Sequence, residues 1–85
     1  MYELLTDEVV EAQLASLPEA VVAAYLEARQ AVELAPWSAG SSMYPSNPKS
    51  ALYAADVGQP EFDGTIIYFI DEIVRRVPVL EVMWL

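Results

Sequence analysis

The side chains that could do chemistry in this sequence are mainly carboxylates. Thirteen Asp and Glu residues stand against four Lys and Arg, which gives a formal net charge of −9. Three groups of acids lie close together in the sequence: Asp7/Glu8/Glu11, Glu61/Asp63 and Asp71/Glu72. Acids that converge in a cleft bind metals or hydrolyse glycosides. Because a domain of 85 residues rarely forms such a cleft, we expect solvated acids, no metal site and no cofactor.

Residue types that are missing exclude several further kinds of site. Without histidine, the commonest general base near neutral pH and the commonest metal ligand are absent. Without cysteine, disulfides, thiolate catalysis and thiolate zinc sites are excluded. The four cations, too few to bind a polyanion among so many acids, are Arg29, Lys49, Arg75 and Arg76. The acidity serves either solubility or an acidic face for a basic protein partner.

No segment predicts export or insertion into a membrane. Residues 1–3 lack the basic start and apolar run of a secretion signal. The most apolar region, residues 64–85, is interrupted by charges and does not reach the ~18 apolar residues of a membrane span. We therefore expect one cytoplasmic domain over residues 1–85, without membrane association.

The first half of the chain predicts a short strand followed by two helices. The strand covers residues 2–5, and residues 6–8 supply an N-cap with acids in the first turn of a helix. Ser16 and Glu19 predict a capping box that starts a second helix, and Pro36 ends it. The apolar positions are Val10, Leu14 and Leu17 in the first helix and Val21, Tyr25, Ala28 and Val32 in the second, widened by Val22 and Leu26. The helices should form an antiparallel hairpin or a sharply bent pair.

Residues 36–48 form the longest connection and contain the aromatic residues Trp37 and Tyr44. Proline, glycine and serine are frequent in this segment, which is typical of a loop. Aromatic side chains in a loop are candidates for contact with a partner. The alternative is that Trp37 covers the end of the helix pair.

Residues 51–57, 65–70 and 77–85 predict three further strands, the last two joined by a turn over residues 71–76. Along the last strand, Leu80, Val82 and Trp84 share one face, and Val79, Glu81 and Met83 share the other. Because both faces are largely apolar, we expect this strand to be central or covered on both sides. Pro78 lacks an N–H and predicts a break or bulge in the pairing.

The predicted order of elements is therefore β-α-α-β-β-β. Two such apolar strands are not stable alone in water and need a helical layer across one face. Because both helices precede the main strands, we predict an α+β fold in which a helical hairpin packs on a small antiparallel sheet.

Four stretches of the chain carry a likeness to a known family: Tyr2-Glu3-Leu4, the Leu17-Pro18 break, Gly64 to Ile70, and Val77 to Trp84. In order and pattern they resemble the RelE/ParE superfamily of bacterial toxins, whose members have a short strand, a helical hairpin and three antiparallel strands. The combination of Pro36-Trp37, Arg75-Arg76-Val77 and Trp84 also looks like small actinobacterial proteins of this type. The resemblance covers nearly the whole chain and implies the same fold.

The chain departs from this superfamily at the residues that carry catalysis. Ribonuclease members have Lys and Arg on the sheet and a Tyr or His near the C-terminus, which bind mRNA, activate the 2′-hydroxyl and stabilise the scissile phosphate. Here residues 52–56 and 64–67 contain no Lys or Arg, and the C-terminal His/Arg-x-x-x-Tyr pattern is missing. Cleavage without a metal needs a base, an acid and cations.

The local candidates for such catalysis are Arg75, Arg76, Tyr53 and Tyr68. Adjacent residues of a turn point in different directions, so the two arginines are alternatively solvated charges or partners of Asp71 and Glu72. Aromatic residues of a sheet can also stack on RNA bases. Without basic neighbours, we expect the aromatic residues of the strands in the core: Tyr53, Tyr68, Phe69 and Trp84.

We therefore expect a non-catalytic protein-binding module in a bacterial toxin–antitoxin or related conflict system. ParE-like members, which are thought to bind the DNA gyrase complex, also lack the ribonuclease residues. The expected partner is a protein rather than nucleic acid: an antitoxin, a target, a basic protein or a second copy in a homodimer. The candidate contact residues are Trp37, Tyr44, Met83, Trp84 and Leu85.

Two other functions stay open. The first is a metal-independent mRNA interferase that uses Arg75, Arg76 and a tyrosine. The second is an acidic immunity protein or nucleic-acid mimic. The acidity of this chain differs from the toxins of both branches, which are usually basic, and an acidic toxin would pair poorly with the acidic antitoxin tails of the family.

Overall fold

A sheet with helices on one face forms the protein. The computed structural model describes residues 1–47, 49–57 and 64–84, the last of them by its backbone alone. In chain order, the elements are β1 (Glu3–Leu5), α1 (Glu8–Ala15), α2 (Glu19–Leu34), α3 (Pro36–Ala39), β2 (Ser41–Ser42), β3 (Leu52–Val57), β4 (Gly64–Phe69) and β5 (Arg76–Trp84). This arrangement confirms the predicted α+β fold class.

The strands lie in the order β1-β5-β4-β3-β2. Strands β3, β4 and β5 pair antiparallel, as predicted. Strand β2 also pairs antiparallel with β3, although it and α3 lie in the segment predicted as a loop. The first strand instead pairs parallel to β5, with Leu4 opposite Val77. The sheet is therefore mixed rather than wholly antiparallel, and β5 lies between β1 and β4 as expected for a central strand.

The two main helices begin differently. Asp7 caps α1, and its carboxylate accepts a hydrogen bond from the Val10 N–H at 2.9 Å, which confirms the predicted cap. The predicted capping box of α2 does not form. The Ser16 hydroxyl belongs to the end of α1, where it donates to the Gln13 carbonyl at 2.9 Å. The N-cap of α2 is Pro18, whose φ of −59° suits a helix entry without a side-chain cap.

The core lies between the helices and the inner face of the sheet. Helix α1 packs against β5, and α2 packs against β3. The predicted stripe of α2 is confirmed by the burial of Val21, Tyr25 and Val32, whereas Leu26 is 54% exposed. The strands contribute Ala55, Val57, Ile66, Tyr68, Ile70, Val77, Val79 and Val82.

A bulge in β5 changes which residues face the helices. Tyr68 pairs with Val79 and Ile67 pairs with Glu81, so Leu80 is an extra residue in the ladder. Val79 and Val82 are both buried in the core, while Leu80 is exposed. The prediction that Leu80 and Val82 share a face is therefore wrong, because the bulge interrupts the alternation of side chains.

Candidate functional site

A carboxylate in the turn between β4 and β5 joins three separate parts of the chain. The Tyr2 hydroxyl, at the start of β1, lies 2.7 Å from both carboxylate oxygens of Glu72 and donates to them. The Trp37 indole N–H, in α3, donates to Glu72 Oε1 at 3.0 Å. We call Tyr2, Trp37 and Glu72 the Glu72 cluster. It links the N-terminal strand, α3 and the turn at the protein surface.

The hydrogen bonds of the Glu72 cluster favour the ionised form of the carboxylate. Donation from Tyr2, and then from Trp37, holds the pKa of Glu72 below its usual value, and the nearby Arg75 acts in the same direction. The hydrogen bond to Glu72 raises the pKa of the Tyr2 hydroxyl. At neutral pH the cluster is therefore an ionised acceptor with two neutral donors.

The two arginines of the turn point in different directions, as expected. Arg75 has a left-handed backbone, with φ of 54°, and its guanidinium carbon lies 5.8 Å from the centre of the Tyr2 ring. Arg76 Nε lies 3.4 Å from Glu3 Oε1 in an exposed ion pair. The alternative that the acids of the turn are the partners is thus wrong for Arg76, because β1 places Glu3 opposite it.

The two tyrosine candidates lie in different surroundings. Tyr68 is fully buried, and its hydroxyl donates to the Pro36 carbonyl at 2.7 Å. Burial raises the pKa of Tyr68 to about 12. Tyr53 is half-buried and contacts the Trp37 ring edge to face, with 5.4 Å between ring centres. Tyr53 and Tyr68 lie side by side, with 6.2 Å between ring centres, and the hydroxyl of Tyr68 is used by its bond to the backbone. The two arginines instead contact Tyr2 and Glu3.

The face of the sheet opposite the helices, which we call the outer face, is apolar. Its apolar side chains are Leu5 of β1, Leu52 and Ala54 of β3, Ile67 and Phe69 of β4, and Pro78, Leu80 and Met83 of β5. The exposed fractions of Phe69, Leu80 and Met83 are 43%, 50% and 44%. The prediction that Phe69 lies in the core is wrong, because Phe69 follows Tyr68 and side chains alternate along β4. Among the described residues, β5 is covered on its inner side alone.

Cations are scarce on the outer face, and acids border it. Arg76 is the one Lys or Arg within the strands that the structure describes, and it is paired with Glu3. Asp56 lies opposite Thr65, and Glu81 lies opposite Ile67; both acids are exposed. This surface therefore offers apolar contact and negative charge.

The remaining contact candidates are dispersed. Trp37 belongs to the Glu72 cluster and is 41% exposed, so it does more than cover the helix pair. Tyr44 is exposed in the connection after β2, where its N–H donates to the Ser42 hydroxyl at 3.2 Å. The Trp84 side chain and Leu85 lie outside the described residues. Met83 is the one candidate that lies on the outer face.

Among the described residues, the acids of the sequence form no metal-binding group. Asp7 is used as a helix cap, residues 61 and 63 lie outside the described part, and no three acids in residues 1–47, 49–57 and 64–84 form a metal-binding group. None of the described helices combines the length and the apolar character that crossing a membrane requires.

Sequence reasoning missed Tyr2 and Glu72 as site residues. The only signal in the sequence is that a Trp indole N–H needs an acceptor when it is partly buried. The acceptor lies 35 positions away from Trp37, and Tyr2 lies 70 positions away from Glu72. The contact of Tyr2 depends on the parallel pairing of β1 with β5, and the contact of Trp37 depends on α3. The sequence predicted neither.

Solved structures match this arrangement of helices and strands. A chain of the toxin–antitoxin complex RelBE2 from Mycobacterium tuberculosis aligns with a TM-score of 0.79 and 20% identity, over 99% of this chain and 98% of that one. The isolated RelE toxin of E. coli also aligns with a TM-score of 0.79, at 18% identity, over 99% of this chain and 84% of the toxin. The chain has a RelE-like fold. The archaeal RelE-RelB complex from Pyrococcus horikoshii OT3 aligns at a TM-score of 0.61 and 21% identity, covering 98% and 93%.

The RelE-like fold confirms the resemblance seen in the sequence at the level of structure. No family model matches the chain, and no curated protein matches it significantly. Function therefore has to be argued from the side chains that this RelE-like fold presents, above all on the outer face.

Proposed function

We propose that this chain is a protein-binding subunit of a cytoplasmic bacterial toxin–antitoxin or related conflict system, acting without ribonuclease catalysis. The observation that carries the proposal is the composition of the outer face. Phosphodiester cleavage without a metal requires cations beside an acid and a base. The outer face instead carries apolar side chains and acids, and its one cation, Arg76, is paired with Glu3.

The matched structures support a protein partner for this chain. Two of them are complexes of toxin and antitoxin, from Mycobacterium tuberculosis and Pyrococcus horikoshii. An antitoxin is therefore the partner that the fold favours. Its contact surface would include the outer face with Met83, and the exposed aromatic side chains of Trp37 and Tyr44 at one end of the sheet.

A second candidate function is that of an mRNA interferase, and one observation favours it. Arg75 and Tyr2 lie together at the surface, and Tyr53 approaches them through Trp37 and the Glu72 cluster. The guanidinium of Arg75 beside the phenol of Tyr2 is an arrangement, among the described residues, that could bind a phosphate. This candidate requires Arg75 to be essential.

Inducible expression in a bacterial host separates the two candidates. Growth is compared for the intact chain, for Arg75→Ala/Arg76→Ala and for the control Lys49→Ala, which removes an exposed cation elsewhere. In parallel, the intact chain is co-expressed with the product of the adjacent reading frame and purified. We expect a stable complex with that product and the same growth for all three forms.

The outcomes distinguish catalysis from binding. The interferase would be established if the intact chain and Lys49→Ala both arrest growth and the double arginine variant does not. Arrest by all three forms would identify a poison that acts by binding. Failure to form any complex with the adjacent product would contradict the proposed function.

A further inference from the structure

The outer face is a continuous surface rather than a scatter of exposed side chains. Leu52 of β3 lies opposite Phe69 of β4, and Leu5 of β1 lies opposite Pro78 of β5. In the next rows, Ala54 lies opposite Ile67, and the bulge adds Leu80 to the same side. Because these partners lie on neighbouring strands of one sheet, they form a single apolar patch across four strands.

The charges at the border of this patch have one sign. Asp56 and Glu81 are exposed on the outer face with no Lys or Arg opposite them in the described sheet. The other cations of the chain lie elsewhere: Arg29 pairs with Glu33 on α2, Arg75 lies over Tyr2, and Lys49 lies in the connection before β3. The apolar patch is therefore bordered by uncompensated acids.

These charges discriminate among the occupants that an apolar surface could take. A nucleic acid would place phosphates beside Asp56 and Glu81, with no free cation on the strands to receive them. A second copy of this chain would bring a net charge of −9 against another −9, and the same acids would face one another. A segment with apolar side chains and flanking Lys or Arg matches both features of the surface.

We propose that the outer face docks an amphipathic segment of a protein partner, whose apolar stripe covers Ile67, Phe69, Leu80 and Met83 and whose Lys or Arg residues pair with Asp56 and Glu81. This inference rests on the proposed protein-binding function and specifies the chemistry of the partner. In this arrangement, the apolar contacts provide most of the affinity, and the two acids select the partner and set its orientation.

Two synthetic helical peptides test the inference directly. Both carry the same Leu stripe, and Lys flanks the stripe in one while Glu replaces every Lys in the other. Binding to the full chain is measured by fluorescence anisotropy, and the contact surface is mapped by amide chemical-shift changes. We expect the Lys peptide to bind about tenfold more tightly than the Glu peptide, with the largest chemical-shift changes on β4 and β5, over residues 64–69 and 76–83.

Matched variants make the expected result specific to the outer face. Leu80→Ser/Met83→Ser should weaken the Lys peptide by about tenfold or more, whereas Leu26→Ser, equally exposed on α2, should not. Asp56→Lys/Glu81→Lys should reverse the preference between the peptides, whereas the control Glu8→Lys/Glu27→Lys on the helices should not. Because all these side chains are exposed, the variants should fold, and circular dichroism verifies this.

Several results would overturn the inference. Equal affinity for the two peptides, or chemical-shift changes confined to the helices, would contradict it. So would tighter binding of an RNA oligonucleotide to the outer face. A homodimer seen by sedimentation and lost in Leu80→Ser/Met83→Ser would show that a second copy is the occupant instead. The proposed function is tested separately by the complex with the adjacent product. If that complex forms but changes amide chemical shifts only outside the outer face, the inference about the outer face fails and the proposed function stands.

Discussion

The inner and outer faces of the sheet are built from alternate residues of the same strands, and both are largely apolar. On the inner face, Ile66, Tyr68 and Val79 are covered by helices and are almost fully buried. On the outer face, Phe69, Leu80 and Met83 have no cover among the described residues. Burial, rather than residue type, therefore separates the face that stabilises the fold from the face that is available for binding.

The largest expected difference between the faces comes from two neighbouring isoleucines. Ile66→Ala should lower the free energy of unfolding by about 3 kcal/mol, because it removes a fully buried side chain and leaves a cavity. Ile67→Ala makes the same chemical change on the outer face and should cost about 1 kcal/mol or less. Urea unfolding of both variants measures the difference. Equal losses would show that the outer face is as packed as the core.

A smaller effect is expected where β2 and α3 approach the inner face. A Cβ on Gly40 would lie 2.5 Å from the Ala54 carbonyl oxygen and 2.7 Å from the Tyr68 hydroxyl. Gly40→Ala should therefore destabilise the protein by about 2 kcal/mol through overpacking. The neighbouring control Ser41→Ala, at an exposed position, should leave stability within about 0.5 kcal/mol. A harmless Gly40→Ala would mean that both the backbone at Ala54 and the hydroxyl of Tyr68 can move aside.

Two buried tyrosines of the core, Tyr25 and Tyr68, should respond in opposite ways to the loss of the hydroxyl. Among the described residues, the Tyr25 hydroxyl makes no well-formed hydrogen bond. Burial raises the pKa of Tyr25, and the nearby Arg29 opposes this through its charge and a weak hydrogen bond. Tyr25→Phe should therefore stabilise the protein by about 1 kcal/mol, because it removes an unsatisfied polar group. Tyr68→Phe should have the opposite sign and a similar size, because it breaks the bond to the Pro36 carbonyl. Thermal unfolding of both variants tests the contrast.

The smallest effect is expected at the Glu72 cluster, which is exposed. Hydrogen bonds from Tyr2 and Trp37 lower the pKa of Glu72 in the folded state. The stabilisation is therefore complete above the usual glutamate pKa and is lost as the pH falls through the lowered value. The indole N–H resonance of Trp37 should shift in that acidic range. In Glu72→Gln this titration should be absent; a midpoint at or above the usual glutamate value would contradict the assignment.

Much of the fold was predictable because it depends on local patterns. The cap at Asp7, the stripe through Val21, Tyr25 and Val32, and the helix end at Pro36 each follow from residues a few positions apart. These signals are sufficient for the order of the main helices and strands and for the α+β class, but not for the short α3 and β2, which lie in the segment predicted as a loop. Together with the RelE/ParE resemblance, they led to the fold that the solved structures match.

The candidate site was less predictable because it depends on distant pairings. Parallel pairing places Glu3 beside Arg76 and Tyr2 near Glu72, and no local pattern indicates this. The bulge at Leu80 moves one residue of β5 out of alternation, so a strict period of two assigns Val82 wrongly. Phe69 is exposed because the helices cover the inner face of the sheet and not the outer one. An apolar strand sequence does not show which of its faces is covered.

The bond between Gln13 and β5 has a consequence for solubility. The first strand ends with Leu5 opposite Pro78, so it does not accompany β5 to its end. Beyond that point, Gln13 Oε1 accepts a hydrogen bond from the Val82 N–H at 3.0 Å. A strand from another molecule that extended the sheet there would need this same amide. Helix α1 thus caps the site from which edge-to-edge polymerisation of so apolar a sheet would begin.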